Sequence, residues 1–142
     1  MYKINWVRVL VGGLVASIIL FLTDGFLHER LAIGFWQAVY ADLGVAEPKH
    51  SAYALVYFAI FELGRGYISI YLYALMRSCC GPGWKTAALA GIVAWFAFSV
   101  TGPAQFIPLG FYSHALWIKV GAFQFITSIL AAVAGAFLYR DV

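Results

Sequence analysis

Three ionisable side chains, Asp24, Glu62 and Arg65, stand inside long apolar runs of this 142-residue chain. Placing such a group at the centre of a lipid-spanning helix costs about 2.5 to 3.5 kcal/mol, so each needs a partner or a task. Glu62 and Arg65 are three residues apart, which puts them on one helix face, and Asp24 can reach the same guanidinium from a second helix. Two carboxylates facing one guanidinium leave a negative charge over, and that suits proton exchange or capture of a cation. The same triad also suits a purely structural role, fixing the register of packed helices. His28 follows Asp24 by one helical turn, and Gln124 brings a further polar group from the last apolar run. Asp24, His28 and Glu62 are types that ligate metals, yet the Glu-x-x-His repeat of carboxylate-metal bundles is absent, so no metal site is assigned. His28 and His114 are the pair that could ligate a haem, or else polar caps at the membrane edge; His50 sits in a solvated Glu47-Pro48-Lys49-His50 loop.

Composition dictates the elements that position this set. The chain is 64% hydrophobic and 11% charged, with a mean hydropathy of +0.89, whereas a soluble domain is about one-quarter charged. An ordinary water-soluble globule and a disordered chain are both excluded, and a net charge of +3 makes no case for nucleic acid. A bilayer core is crossed by about 20 apolar residues. Runs of that kind cover 7–27, 51–76, 84–101 and 117–139. The expected fold is all-α: a four-transmembrane-helix bundle forming a single integral membrane domain over 1–142. The first run is too long for a signal-peptide core and lacks a small-residue cleavage pattern, so it reads as a retained helix. With a rise of ~1.5 Å per residue, Asp24 lies ~24 Å above Arg8, Glu62 ~22 Å above Arg77 and Gln124 ~24 Å above Arg140. Thr101 and Gly102 come to a similar height above Lys85, giving one polar layer in the outer half of the bundle.

Lys3, Arg8, Arg77, Lys85 and Arg140 fall on one side, and Arg30, Lys49 and Lys119 on the other. That bias places both termini in the cytoplasm. Residues 33–43 mix aromatic and aliphatic side chains at helical spacing and suit a short interfacial helix between the first two spans. Residues 102–110 are apolar but broken by Pro103 and Pro108, so they must be covered by protein or lie at the interface. Trp6, Trp36, Trp84 and Trp117 fall near span ends, where aromatic belts sit. The aromatic residues of the second span, Tyr53, Tyr57, Phe58, Phe61, Tyr67, Tyr71 and Tyr73, circle it. They point to a central helix with protein on several sides, or to contact with a partner subunit or pigment. Cys79 and Cys80 are adjacent and would bridge only with strain, so free thiols are expected. Setting Trp6 on Trp84 brings Gly13, Val15, Ala16 and Thr23 onto Gly91, Val93, Ala94 and Thr101, the register of a parallel repeat of two helix pairs.

The Asp24-Gly25-Phe26-Leu27-His28 segment, the Gly81-Pro82-Gly83-Trp84-Lys85-Thr86-Ala87 turn and the Gly135-Ala136-Phe137-Leu138-Tyr139-Arg140 end resemble a loose group of small bacterial four-helix integral membrane proteins with no assigned activity. The resemblance implies the architecture and supplies no substrate, cofactor or catalytic residue. Small multidrug exporters also have four helices and a helix-1 carboxylate, but here the carboxylates occupy the first two helices, with an Arg beside them. No nucleophile elbow, phosphate loop, metalloprotease helix or nucleotide fingerprint is present. The sequence reads as a bacterial inner-membrane accessory or interaction subunit, partnered by the bilayer and by a larger membrane complex or further copies of itself. Asp24, Glu62 and Arg65, with His28 and Gln124, form its ion-pair layer. The alternatives are a small proton-coupled or cation carrier using that layer as an outward-facing site, and an enzyme acting on lipid or quinone. No cofactor is named by the sequence.

Overall fold

The computed structural model describes residues 4–42, 44, 46 and 52–139, and among them every regular element is a helix. Helix α1 covers Trp6–Leu31, α2 Ile33–Asp42, α3 Ala52–Cys80, α4 Trp84–Ala104 and α5 His114–Phe137. All except α2 are long and apolar enough to cross a membrane. Lys3, Lys49, His50 and Arg140, used above, lie outside the described residues.

Local chemistry sets the helix ends. Asn5 opens α1 by accepting a hydrogen bond from the Arg8 amide at 3.2 Å, and Ser113 opens α5 by accepting one from the Leu116 amide at 3.1 Å. These caps satisfy amides that the helix itself leaves over, and they start each helix ahead of the apolar run. Between α3 and α4, Gly81 and Gly83 take φ of 77° and 132°, which only glycine adopts freely. Thr86 ties that turn by donating to the Gly81 carbonyl at 2.8 Å.

Two helices change pitch. α1 widens from α to π over Leu27–Leu31, and α4 does so over Phe96–Thr101. The break expected at Thr101-Gly102-Pro103 therefore does not end α4. After the wide turns a fresh α turn begins at Gly102, with Pro103 in its first positions, where a missing N–H costs little.

The long helices close a ring: α1 and α4 each pack against both α3 and α5, and stand on opposite corners. Neighbours run antiparallel. Trp6 stacks on Tyr71 at one end of the α1–α3 pair, and His28 meets Phe58 at the other. The Asn5 amide donates to the Tyr139 hydroxyl at 3.0 Å, so the first and last helices meet at what we term the termini end; the other is the loop end.

Small residues make the central crossings. A Cβ on Gly12 would lie 2.5 Å from the Gly135 carbonyl oxygen, one on Gly66 2.7 Å from that of Gly13, and one on Gly91 2.7 Å from that of Ser128. Such contacts bring backbones together as small-xxx-small motifs do. The Gly13–Gly66 and Gly91–Ser128 crossings occupy matching places in the α1–α3 and α4–α5 pairs. Carrying Gly66 onto Ser128 also carries Glu62 onto Gln124 and Arg65 onto Thr127. In that register the first pair carries ionisable groups where the second carries neutral polar ones.

Large apolar side chains face outward. On α1, Leu10, Leu14, Ile18 and Leu22 are exposed, while Gly13, Ala16, Ser17, Leu20 and Asp24 are buried. α5 repeats the pattern, with Ile118, Ile126 and Leu130 outside and Gln124, Thr127 and Ser128 inside. Helix α3 packs against α1, α4 and α5, so it has protein on several sides, yet Tyr53, Val56, Tyr57, Ile60 and Phe61 are exposed, and its aromatic residues do not mark protein all round.

Candidate functional site

The buried stripes of α1, α3 and α5 converge on Arg65. Its Nη1 donates to Asp24 Oδ2 at 2.5 Å and to both Glu62 oxygens at 2.9 Å, and its Nη2 lies 3.4 Å from Ser128 Oγ. Gln124 Nε2 donates to the same Asp24 oxygen. Asp24 and Glu62 are each 1% exposed and Arg65 3%, so water contributes almost nothing to their solvation. Breaking one member of such a group is far costlier than its surface equivalent, because the remaining charge stays buried. One network therefore ties three helices at one level. Ser17, two helical turns from Asp24 toward the termini end, adds a tie by donating to the Gly13 and Leu63 carbonyls at 2.7 and 3.2 Å.

Beside the network, toward the loop end, lies a cavity of about 130 Å³. Asp24, His28, Glu62, Arg65 and Gln124 all line it, so the structure brings together the five residues of the expected ion-pair layer. The other lining residues are Phe58, Phe61, Phe98, Ser99, Pro103, Tyr112 and Val120. Two polar atoms at this level have no hydrogen-bond partner among the described residues: Asp24 Oδ1 and Ser99 Oγ, both buried. Buried polar groups are nearly always paired, so two orphans on one cavity mark a place for a ligand or ordered water.

The rim is aromatic. His28 Nδ1 accepts from Trp36 Nε1 at 2.9 Å, its ring lies edge-on to Phe58 with centroids 6.2 Å apart, and Trp36 meets Tyr112 edge-on at 5.4 Å. Trp36 thus fastens α2 over the loop end, helped by Phe35, whose ring carries Lys119 Nζ at 5.2 Å. Burial pushes the Tyr112 hydroxyl up to about 12, with the Asp24 charge adding to the effect, so this phenol stays protonated and able to donate.

His114 is exposed at the start of α5 and does not line the cavity, and His28 already uses Nδ1 on Trp36. A shared haem between these two finds no support in that arrangement. Among the described residues no group of three His, Cys, Asp or Glu side chains is placed to hold a metal ion. Cys79 and Cys80 are free and exposed at the termini end, far along α3 from the network.

Sequence reasoning missed the aromatic walls and Ser99. Phe58 and Phe61 share a helix face with Glu62 and Arg65 and were within reach of a spacing argument. Ser99 and Phe98 were not, because the π turns that rotate them inward leave no mark in hydrophobic periodicity. Comparison of the chain with protein-family models, with curated proteins and with solved structures returned no match.

Proposed function

We propose that this is a small integral membrane protein that binds a cation, in exchange for a proton, in the loop-end cavity, acting as a carrier or as the cation-sensing part of one. Support for the membrane setting comes from the surface, where many leucines and isoleucines are exposed while Asp24, Glu62, Arg65, Gln124, Thr127 and Ser128 are buried. Arg8 and Lys85 at the termini end, with Lys3 and Arg140 in the sequence beyond, favour a cytoplasmic location for that end in a bacterial inner membrane. The α2 helix, with Trp36 on the rim, then lies in the outer interface.

The observation that carries the binding reading is the orphaned Asp24 Oδ1 on the cavity wall. Asp24 and Glu62 present two negative charges and Arg65 one positive, so neutrality at this level requires one more positive charge. A proton or a bound cation supplies it, and the two compete. The titratable or charged groups facing that place are Asp24 and His28 from α1, Glu62 and Arg65 from α3, and Tyr112 before α5; α4 adds Ser99 and α5 Gln124.

The second reading, an accessory subunit of a membrane complex or homo-oligomer, is favoured by the exposed Tyr53, Tyr57, Ile60 and Phe61 ridge of α3. Glu62→Gln separates the two. For a carrier, the folded variant loses pH-dependent cation binding in detergent, because Asp24 and Arg65 alone already balance in charge. For an accessory subunit, the variant changes expression or the assembled state, seen by size-exclusion chromatography with light scattering. A Glu62→Gln protein that keeps full pH-dependent binding would sink the first reading.

A further inference from the structure

We infer that the cation is a small alkylammonium ion, no larger than tetramethylammonium, seated between Asp24 Oδ1 and the aromatic walls. This names the ligand class of the proposed site and rests on that reading. Size sets the first limit. A cavity of about 130 Å³ corresponds to roughly four waters at ~30 Å³ each. That is room to seat a ligand of about five heavy atoms and too little to enclose a whole quinone or a haem.

Donor chemistry sets the second. Hard divalent ions take about six or more oxygen ligands. The oxygens that the lining offers are Asp24 Oδ1, Ser99 Oγ, Gln124 Oε1 and the Tyr112 hydroxyl, fewer than six, since Asp24 Oδ2 is taken by Arg65 and Gln124 and both Glu62 oxygens by Arg65. A metal ion stripped of water would be starved of oxygen in such a place. An alkylammonium ion is not, because its charge is spread and it is satisfied by one carboxylate and the faces of aromatic rings. Phe58, Phe98 and Tyr112 supply those rings. Phe61 already faces a cation: the Arg65 guanidinium carbon lies 5.8 Å from its centroid. Phe61 and Phe98 meet nearly perpendicular with centroids 6.2 Å apart, so each ring braces the other.

The test is calorimetric titration of the purified full chain in mild detergent with tetramethylammonium chloride, methylammonium chloride and, at equal ionic strength, sodium and potassium chloride. One saturable site is expected for at least one of the two ammonium ions, with none for sodium or potassium. Binding should weaken at least tenfold in Asp24→Asn, and by roughly three- to tenfold in Phe98→Leu, as expected for loss of one ring from a desolvated cation site. If Asp24→Asn does not fold, Phe98→Leu and Ser99→Ala, which leave the ion pairs intact, decide the matter. Equal affinity of wild type and Phe98→Leu overturns the aromatic assignment. Saturable sodium or potassium binding that Asp24→Asn abolishes, with both ammonium ions silent, overturns the ligand class and leaves the cation site standing. A folded protein that binds none of the four ions overturns both.

Discussion

At the termini end and centre of the bundle, helices approach until backbone meets backbone: Gly12 on Gly135, Gly13 on Gly66, Gly91 on Ser128. At the loop end the same helices are held by long charged side chains, and a cavity of about 130 Å³ remains between them. Both regions are buried, yet the first gains its cohesion from dispersion across short distances and the second from charge pairing in a dry setting. Among the described residues the π turns fall in the second region, one on α1 just past Asp24 and one on α4 around Ser99. A π turn widens a helix and is frequently found at functional places. The contrast suggests a rigid base of small residues that lets the loop end carry orphaned polar atoms and open space.

Arg65→Met tests that contrast most severely. It removes the one cation between two carboxylates that are each 1% exposed, and loss of a buried partner costs about 3–5 kcal/mol. Thermal unfolding in detergent should register a loss of that order, or the protein should fail to accumulate. Adding Glu62→Gln to Arg65→Met should recover part of it, since one stranded charge is then gone. A loss below about 1 kcal/mol for Arg65→Met would mean that the guanidinium contributes no more than a surface ion pair does, and the loop end would no longer be held by charge.

The base should respond to volume instead. Gly12→Val would drive a side chain into the Gly135 carbonyl, already 2.5 Å from an ideal Cβ, and into Ile70 at 3.3 Å. Overpacking of this kind costs about 1–3 kcal/mol. Gly135→Val meets the same contact from the other side, so the double variant should cost less than the sum of the singles. Additive losses would show that the two glycines do not share a crossing.

How far each region could be read from the chain follows from its physics. The charges at the loop end stand out against apolar runs, so Asp24, Glu62, Arg65 and Gln124 were legible, and a constant rise per residue put them at one level. The glycines of the base were legible only as small residues on a stripe; which of them touches which depends on the ring order of the helices, and spacing does not encode that. The same gap hid Ser99 and Tyr112, brought to the cavity by π turns and by an irregular connection. A shared register was traceable in α1 and α4, where Trp6 and Gly13 match Trp84 and Gly91. It was lost in α3 and α5, because the two connections differ in length and the register that joins Glu62 to Gln124 is a different one. The aromatic start of α3 does not report what surrounds it, since a helix ringed by Tyr and Phe looks packed from sequence whether its neighbours are protein or lipid.

The smallest expected effect is also the one that isolates the cause. Gly64 and Gly66 sit two residues apart in α3, share one helical backbone and differ only in what lies beyond Cα. A Cβ on Gly64 meets nothing within 4 Å, whereas one on Gly66 meets Ser17 Oγ and the Gly13 carbonyl. Gly64→Ala should therefore raise stability by about 0.4–1 kcal/mol, because alanine restricts the unfolded chain and costs nothing in the folded one. Gly66→Ala brings the same gain in the unfolded state and must then push α1 away from α3, so its net effect should be a loss. Paired melting curves read the difference directly. If both variants shift in the same direction, helix propensity governs α3 and the close α1–α3 crossing contributes little. If they shift in opposite directions, the crossing itself is what holds the base together, and the loop end is free to keep its cavity.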